Sequence, residues 1–317
     1  MNFLNDFVAD DLVRVDQEIH HALNSDNMLI QEVGAYLELS KGKKLRPILA
    51  LLAAKAFGYN GGGQFKIAAS LELVHIATLL HDDVIDKAQS RRGKPSVNAK
   101  WGDDVAILMA DYLYASAFDL ALETLNPTVL SVICKVTARM CEGELFQIQK
   151  RREHLTEADY LQIIRSKTAY LFSACSGLGG VLAGAPKEQV ESLTSFGLNF
   201  GMAFQITDDT LDYVANDSRW GKDLGTDVAG GKETLPLIYT RSKASPEDLA
   251  ELDHILNNGR ELGSILQHIN KYRGLDYCRQ VAHSFAAEAQ SALAALESNE
   301  SIRLMRRMCD FVVERAY

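Results

Sequence analysis

Two clusters of aspartate with the same spacing are the residues in this chain best suited to chemistry. Residues 81–86 read His-Asp-Asp-Val-Ile-Asp, and residues 208–212 read Asp-Asp-Thr-Leu-Asp. Each cluster follows a long apolar segment with helical periodicity, so Asp82 and Asp86 share one helix face. Carboxylates four residues apart on a helix repel each other unless a cation bridges them. Because oxygen-only ligands suit Mg²⁺, which bridges a few carboxylates to phosphates, the repeated pattern predicts a magnesium site rather than a solvated helix end.

Basic residues accompany both acidic clusters along the chain. They lie in KGKKLRP at 41–47, SRRGKP at 90–95, Lys167-Thr168, Gly221-Lys222 and GGKETLP at 230–236. Arginine binds phosphate oxygens through two nitrogens, and a lysine within an apolar helix is costly without an anionic partner. We therefore expect a cavity in which acidic helices face each other with Mg²⁺ between them. A basic rim would bind two diphosphates, and residues 221–232 would form a closing flap.

Long helices must position these residues, because apolar side chains recur at i, i+3 and i+4 while alternating β-branched runs are nearly absent. A capping box at Thr156 and Asp159, and Ser245 followed by Pro246, mark two helix starts. The predicted helices lie near 3–24, 27–38, 44–57, 64–87, 103–123, 128–150, 157–182, 188–215, 233–242, 247–257, 261–270, 274–297 and 300–316. Since the connecting loops are short, we predict a single all-α domain over residues 1–317.

Composition narrows the class of protein. The chain of 317 residues carries 33 Lys and Arg against 42 Asp and Glu, a net charge of −9, which argues against nucleic acid as a partner. Its five cysteines lack CxxC spacing, which excludes a disulfide framework and suits a reducing cytosol. An acidic N-terminal segment is unlike a signal peptide, and no run of 18 uncharged apolar residues predicts a membrane span. We expect a cytoplasmic protein with no transmembrane segment.

The combined motifs resemble those of the trans-prenyltransferases, or polyprenyl diphosphate synthases. The resemblance covers about residues 40–240, in the order GKKLRP, ELVHIATLLHDDVID, RRGKP, GELFQ, KT, FQITDDTLD and GKDLGTD…GKETLPLI. It implies an all-α, isoprenoid synthase-type helical bundle around a central cavity, usually homodimeric. The activity implied is Mg²⁺-dependent, head-to-tail condensation of isopentenyl diphosphate with an allylic diphosphate.

The resemblance also implies a role for each matching residue. Asp82 and Asp86 would hold Mg²⁺ on the allylic diphosphate with support from Asp83, and Asp208 would bind a further Mg²⁺. The implied isopentenyl diphosphate site comprises Lys43, Arg46, His75 and Arg92. The implied allylic diphosphate site comprises Arg91, Lys167, Thr168, Gln205 and Lys222, with Lys232 as an addition. Catalysis would depend on Asp82, Asp86, Asp208, Arg91 and Lys167.

Product length is predicted from the residues preceding the first acidic cluster. Ala77 and Thr78 lie one turn upstream of Asp82, where short-chain members of the family often carry a bulky aromatic residue. Because both side chains are small, we predict a long, octaprenyl-like product of the kind attached to quinone rings, as in ubiquinone. The alternative is a geranylgeranyl or farnesyl product, its length set by a wall elsewhere, such as Phe118 or Phe146.

Three other functions compete with this interpretation. A terpene cyclase shares the first acidic motif, but its second motif usually mixes Asn, Ser and Glu. A redox di-metal bundle would use the ExxH spacing at Glu72–His75 and Glu251–His254, although the latter pair lies in a polar segment. A non-catalytic partner subunit is the third, but such subunits commonly lose acidic motifs that are intact here.

Overall fold

The computed structural model describes residues 2–38, 42–151, 153–214 and 225–314, and this part of the chain is almost entirely helical. The helices of its first part are α1 (Asn2–Ala22), α2 (Met28–Glu38), α3 (Leu45–Ala56), α4 (Gly63–Ile85), α5 (Val97–Trp101), α6 (Asp103–Leu122), α7 (Pro127–Lys150) and α8 (Glu157–Ile164). They are followed by α9 (Tyr170–Leu182), α10 (Lys187–Val214), α11 (Thr226–Ala229), α12 (Leu235–Lys243), α13 (Pro246–Asn257), α14 (Leu262–Lys271), α15 (Gly274–Ala292) and α16 (Glu300–Glu314). A 3₁₀ turn at Leu293–Ala295 follows α15. The prediction of an all-α protein is confirmed.

Local signals account for helix starts that the sequence predicted. At α8, the Thr156 hydroxyl accepts a hydrogen bond from the Asp159 amide at 3.2 Å, and the Asp159 carboxylate accepts one from the Thr156 amide at 3.1 Å. This reciprocal capping satisfies amides that have no partner within the helix. At α13, the Ser245 hydroxyl accepts from the Asp248 amide, with Pro246 in the first helical position.

Two short features of the structure are not part of the predicted pattern of α-helices. A two-stranded antiparallel hairpin, β1 (Ser90–Arg91) and β2 (Lys94–Pro95), occupies the basic turn after the first acidic cluster. The helix expected over 157–182 is interrupted by a π-helical turn at Arg165–Ala169, which joins α8 to α9. Such turns occur frequently at functional sites, and this one contains Lys167 and Thr168.

The chain divides into two compact units. The first comprises residues 1–138, 171–197 and 292–307, and the second comprises residues 139–170, 198–291 and 308–317. The first acidic cluster belongs to the first unit and the second cluster to the second unit. The single domain over residues 1–317, and the facing of the two acidic helices, stay predictions.

Small residues allow close packing in the core of the first unit. The buried Ser70 hydroxyl on α4 donates to the carbonyl of Ala117 on α6 at 2.7 Å. Gly179 on α9 packs directly on α3, since a Cβ added there would lie 2.7 Å from the Ala54 nitrogen. The second unit has its own buried apolar cluster, formed by Tyr213, Val228, Leu237, Leu252, Ile265 and Ile269.

One helix in the described part of the chain, α6, is long and apolar enough to cross a membrane, with a mean hydropathy of 1.5 over its best window. Of the residues in that window, 39% are buried inside the protein. Length and composition alone are weak evidence for a membrane span, because core helices of soluble proteins share both properties. Within the first unit α6 packs against α4.

Candidate active site

The first acidic cluster occupies the C-terminal end of α4. Asp82 is half-buried, Asp86 is the exposed residue that ends the helix, and only 2% of Asp83 is exposed. The Asp86 amide donates to the Asp82 carbonyl at 2.8 Å, which keeps both side chains on adjacent turns. A helix C-terminus carries partial negative charge, so carboxylates are unfavourable there without a cation. The sequence places negative charge where the backbone disfavours it, as expected for a cation-binding helix end.

The β1–β2 hairpin that follows α4 carries Arg91 on its first strand and Arg92 in its turn. Arg92 and Gly93 form its two-residue turn, and both have positive φ, 54° and 74°. This combination corresponds to a type I′ turn, which matches the twist of the flanking strands. A non-glycine residue with positive φ is uncommon, and Arg92 adopts it at the exposed tip of the hairpin.

Arg91, on the first strand, is held by the buried aspartate of α4. Its Nε donates to both carboxylate oxygens of Asp83 at 2.9 Å, and its Nη2 donates to Oδ1 at 2.7 Å. The Arg91 side chain is 39% exposed, so the pair fixes its direction without enclosing it. Asp83 thus serves as a protein ligand for Arg91.

The described part of the first basic segment, residues 42–47, lies beside the same hairpin. Gly42 approaches the Arg92 guanidinium so closely that a Cβ at this position would lie 2.8 Å from Nη2. Lys44 forms an ion pair with Asp16 of α1, and Lys43 is exposed. The Arg46 guanidinium stacks over the Phe172 ring at 4.5 Å from its centroid. The structure therefore brings residues 42–47 of the first basic motif next to the RRGKP hairpin.

His75 lies among these cations. Burial, followed by the charges of Arg46, Arg92 and Arg91, holds the pKa of His75 well below its usual value, so its imidazole is neutral near pH 7. Burial raises the pKa of Glu72, one turn earlier, against the opposing charges of Arg46, Lys44 and Arg92. A cavity here is lined by polar Lys44, Glu72, His75, Asp83, Arg91 and Arg92 and by apolar Leu73, Ile76, Leu79 and Leu80.

In the second unit, the second acidic cluster lies in the last two turns of α10. Asp208 is half-buried, whereas Asp209 and Asp212 are buried. Asp212 accepts a hydrogen bond from the Asp227 amide at 3.0 Å through its side chain, and its carbonyl accepts one from the Gly225 amide. Asp212 thus holds Gly225 and the start of α11. Asp208 is the most accessible carboxylate of the cluster.

Asp209 lies within a chain of hydrogen bonds. The Tyr160 hydroxyl donates to Asp209 Oδ2 at 2.7 Å, and the Gln205 amide donates to Oδ1 at 2.7 Å. The Thr168 hydroxyl donates to Gln205 Oε1 at 2.8 Å. Burial and the charge of Asp227 raise the pKa of Asp209 to about 7, although both hydrogen bonds oppose the shift. Burial also raises the pKa of Tyr160 well above its usual value, so its hydroxyl keeps the proton that it donates.

Lys167 lies in the π-helical turn, and the GELFQ motif of α7 holds it. Its ammonium group forms an ion pair with Glu144 and donates to Gln147 Oε1 at 2.8 Å. Gly143 permits this approach, because a Cβ there would lie 2.6 Å from the Ser166 Cβ. The anionic partner that the sequence required for Lys167 is therefore Glu144.

The sequence-predicted residues thus fall into two groups. The first unit contains Lys43, Arg46, His75, Asp82, Asp86, Arg91 and Arg92, and the second contains Lys167, Thr168, Gln205 and Asp208. Lys222 lies outside the described residues. Sequence reasoning missed the contacts made by Glu144, Gln147 and Tyr160. The GELFQ motif was a signal for the first two, whereas nothing in the sequence links Tyr160 to Asp209.

The donor set fits a hard divalent cation. Asp82, Asp86 and Asp208 are partly or fully exposed and offer only oxygen as ligand, whereas Asp83, Asp209 and Asp212 are buried. Within the described ranges, no three or more His, Cys, Asp or Glu side chains converge to hold an ion by themselves. Mg²⁺ typically uses one or two carboxylates, waters and substrate phosphates, so a sparse set of carboxylates suits it.

Comparison with known proteins agrees with this arrangement. Residues 27–272 match the family described as Polyprenyl synthetase. Octaprenyl diphosphate synthase of Escherichia coli is 38% identical over 298 residues, covering 93% of this chain and 91% of that protein. A decaprenyl diphosphate synthase structure from Rhodobacter capsulatus superposes with a TM-score of 0.93 at 35% identity, covering 100% of this chain and 99% of that one.

A polyprenyl synthase structure from Caulobacter crescentus, complexed with calcium and isoprenyl diphosphate, also has a TM-score of 0.93 at 35% identity and covers 99% of this chain and 97% of its own. The helical fold and the acidic and basic motifs define an enzyme that acts on prenyl diphosphates. The chain belongs to the Polyprenyl synthetase family of prenyltransferases and has the isoprenoid synthase fold. Its relatives are named for products of different lengths, so family membership leaves the product length open.

Proposed function

We propose that this protein is a Mg²⁺-dependent, long-chain trans-polyprenyl diphosphate synthase. It condenses isopentenyl diphosphate head-to-tail with an allylic diphosphate. One feature common to both acidic motifs carries the proposal. In each motif a side chain of the protein holds the second aspartate, and the first remains partly accessible. This organisation suits helices that present selected carboxylates to a metal diphosphate.

The proposed allylic diphosphate ligands are the residues that the two acidic motifs and the basic motifs single out. Asp82 and Asp86 would hold magnesium in the first unit, and Asp208 would hold it in the second. When bound, magnesium neutralises the diphosphate and stabilises the charge that develops as this group leaves. Arg91, directed by Asp83, and Lys167, directed by Glu144 and Gln147, supply further positive charge to the leaving group.

Isopentenyl diphosphate is bound by the cations around His75. Lys43, Arg46 and Arg92 bind its phosphates, and the cavity beside them offers apolar side chains for a five-carbon group. The neutral His75 imidazole donates a hydrogen bond without adding a charge, which suits a position where three arginines already repel a proton.

The reaction breaks the allylic carbon–oxygen bond, and its electron pair leaves with the diphosphate. The double bond of isopentenyl diphosphate forms the new carbon–carbon bond to the allylic carbon. The resulting cation loses a proton to the departing diphosphate and regenerates an allylic diphosphate that is five carbons longer. Arg91, Lys167, Thr168 and Gln205 are the residues that we assign to the leaving diphosphate, which accepts this proton.

A long product is supported by the side chains upstream of Asp82. Ala77 is fully buried and Thr78 is half-buried, so neither places an aromatic ring beside the acidic cluster. The small side chains at these two positions agree with an octaprenyl-like product, of the kind attached to a quinone such as ubiquinone. A geranylgeranyl or farnesyl product is the alternative.

A second copy of the chain is the proposed partner. Leu108 and Leu122 of α6 are 68% and 56% exposed, and Ile107 is also exposed. An apolar helix with this much exposed surface is better covered than left in water, and a homodimer would cover it. Light scattering coupled to gel filtration tests the dimer, and a Leu108→Lys variant should run as a monomer.

We further propose that the protein acts in the cytoplasm and transfers its apolar product to a membrane.

Turnover by the purified chain tests the proposed activity. Labelled isopentenyl diphosphate and farnesyl diphosphate should yield a labelled, acid-labile product. EDTA should abolish its formation, and Mg²⁺ should restore it. An inactive chain that gains activity only with a second protein would identify a partner subunit instead. A coloured, iron-containing protein without prenyltransferase activity would support the di-metal alternative.

A further inference from the structure

Tyr160 has no role in the proposed chemistry, although it is among the most deeply buried polar side chains near the second acidic cluster. It lies in the first turn of α8, and only 3% of the residue is exposed. Its hydroxyl donates to Asp209 Oδ2 at 2.7 Å. A buried phenol beside a buried carboxylate is costly unless the two groups pair, and here they do.

The pair continues toward the predicted diphosphate ligands. Asp209 is 7% exposed, and its other carboxylate oxygen accepts the Gln205 amide hydrogen. That hydrogen bond turns the Gln205 carbonyl oxygen toward Thr168, which donates to it. Each donor is therefore oriented by the acceptor before it. The chain runs from α8 through α10 to the π-helical turn, and it ends at the two residues assigned to the allylic diphosphate.

We propose that Tyr160 is a positioning residue for the allylic diphosphate site. It fixes Asp209, and Asp209 in turn fixes the Gln205 amide and the Thr168 hydroxyl. This inference rests on the proposed function, because it concerns the site at which the allylic substrate binds. Without the phenolic hydroxyl, the Asp209 carboxylate can rotate, and Gln205 and Thr168 lose the orientation that this chain of hydrogen bonds gives them.

Tyr160→Phe removes the hydroxyl and keeps the ring that fills the core. Tyr277→Phe is the matched control, because the Tyr277 hydroxyl also donates to a carboxylate on α8, Glu157, at 2.7 Å. Tyr277 belongs to α15 of the same unit and lies outside the chain of hydrogen bonds from Asp209 to Thr168. Both variants lose one phenol–carboxylate hydrogen bond, and the midpoint of thermal unfolding should fall further for Tyr160→Phe, because its partner carboxylate is buried.

The kinetic result should separate the two variants. For Tyr160→Phe we expect the KM for farnesyl diphosphate to rise roughly tenfold, as removal of a hydrogen bond to a buried carboxylate suggests. The KM for isopentenyl diphosphate should change less than about twofold, because none of the residues assigned to that substrate belongs to this chain of hydrogen bonds. Calorimetric binding of an unreactive allylic thiolodiphosphate should weaken in parallel. Tyr277→Phe should leave all three quantities unchanged.

The outcomes are distinguishable. A wild-type chain that makes no prenyl diphosphate would overturn the proposed function. An active wild-type chain with Tyr160→Phe equal to Tyr277→Phe in both KM values would overturn this inference alone. If Tyr160→Phe does not fold, Asp209→Asn serves in its place, because an amide cannot accept both hydrogen bonds. Asp209→Asn should also raise the allylic KM selectively, and equal effects on both substrates would contradict the proposal.

Discussion

The guanidinium of Arg91 binds the carboxylate of Asp83 through two nitrogens, with Nη2 at 2.7 Å from Oδ1. This ion pair connects the β1–β2 hairpin to the C-terminal end of α4. It also divides the first acidic motif, because Asp83 is directed at a protein cation while Asp82 and Asp86 lie on the adjacent face. The DDxxD pattern therefore contains two kinds of carboxylate.

This division predicts different effects of two adjacent substitutions. Asp82→Asn should lower kcat by at least about a hundredfold and raise the Mg²⁺ concentration needed for half-maximal rate, because it removes a proposed metal ligand. Asp83→Asn should leave the Mg²⁺ requirement unchanged and raise the KM for the allylic substrate, because it releases Arg91. Titration of the rate with Mg²⁺ measures the difference. Identical Mg²⁺ curves for the two variants would contradict it.

A second prediction concerns the contact between α7 and the π-helical turn. Gly143→Ala places a methyl group 2.6 Å from the Ser166 Cβ, so the turn that carries Lys167 must move. We expect kcat/KM for the allylic diphosphate to fall roughly tenfold or more, since displacement of a positioned group by about 1 Å can cost a hundredfold. The Tm should fall as well, because overpacking costs about 1–3 kcal/mol.

Gly263→Ala is the control for this substitution. Gly263 lies exposed on α14, and an added Cβ would meet only the flexible end of Glu261, at 3.2 Å. Alanine is the better helix former, so this variant should be as stable as the wild type or slightly more stable, with unchanged activity. Full activity in Gly143→Ala would show that Lys167 does not depend on this close approach.

Much of this architecture follows from local sequence. Apolar periodicity predicts the long helices, and the Thr156–Asp159 capping box predicts the start of α8. The spacing of four between Asp82 and Asp86 predicts their shared face without knowledge of any neighbour. These features depend on residues within one or two helical turns of each other, which is why the sequence alone is enough.

Other features depend on contacts between distant residues. Tyr160 and Asp209 are 49 residues apart, and their hydrogen bond exists only because α8 packs against α10. The π-helical turn at Arg165–Ala169 has no local signal, since its sequence continues the helical period on both sides. The positive φ of Arg92 arises from the hairpin, because propensity would favour glycine or asparagine at that position.

A third prediction uses the depressed pKa of His75. Because the folded protein resists protonation of His75, the unfolded chain binds one more proton once the pH falls below about 6.5. The His75 contribution to the free energy of unfolding should therefore decrease with falling pH, by up to about 1.4 kcal/mol per pH unit. Asp209, whose pKa is raised to about 7, contributes with the opposite sign in the same pH range. Urea unfolding of the wild type and of His75→Gln between pH 7 and pH 5 isolates the His75 contribution. The wild type should lose stability relative to His75→Gln as the pH falls, and a constant difference between the two would show that His75 does not contribute.

The last prediction concerns product length, where the structure sharpens the test. Ala77 is fully buried, so a phenyl ring there must displace neighbouring side chains, whereas Thr78 is half-buried and its hydroxyl donates to the His75 carbonyl at 2.7 Å. One helical turn rises about 5.4 Å, close to the length of a prenyl unit, so an aromatic ring at either position should stop growth several units early. We expect the wild-type chain to make products of about eight units from farnesyl and isopentenyl diphosphates. Ala77→Phe and Thr78→Phe should both shorten them.

Chromatography of the dephosphorylated products measures their length, and the Tm of each variant shows whether overpacking has damaged the fold. Thr78→Val is the control, because it removes the hydroxyl without adding bulk and should leave the product distribution unchanged. A wild-type product that ends at four units would overturn the long-chain proposal and indicate a geranylgeranyl product. Active Phe variants that retain the wild-type distribution would show that the growing chain does not pass Ala77 or Thr78. In that case Phe118 and Phe146 become the next side chains to substitute, because each supplies an aromatic wall that a longer product would have to pass.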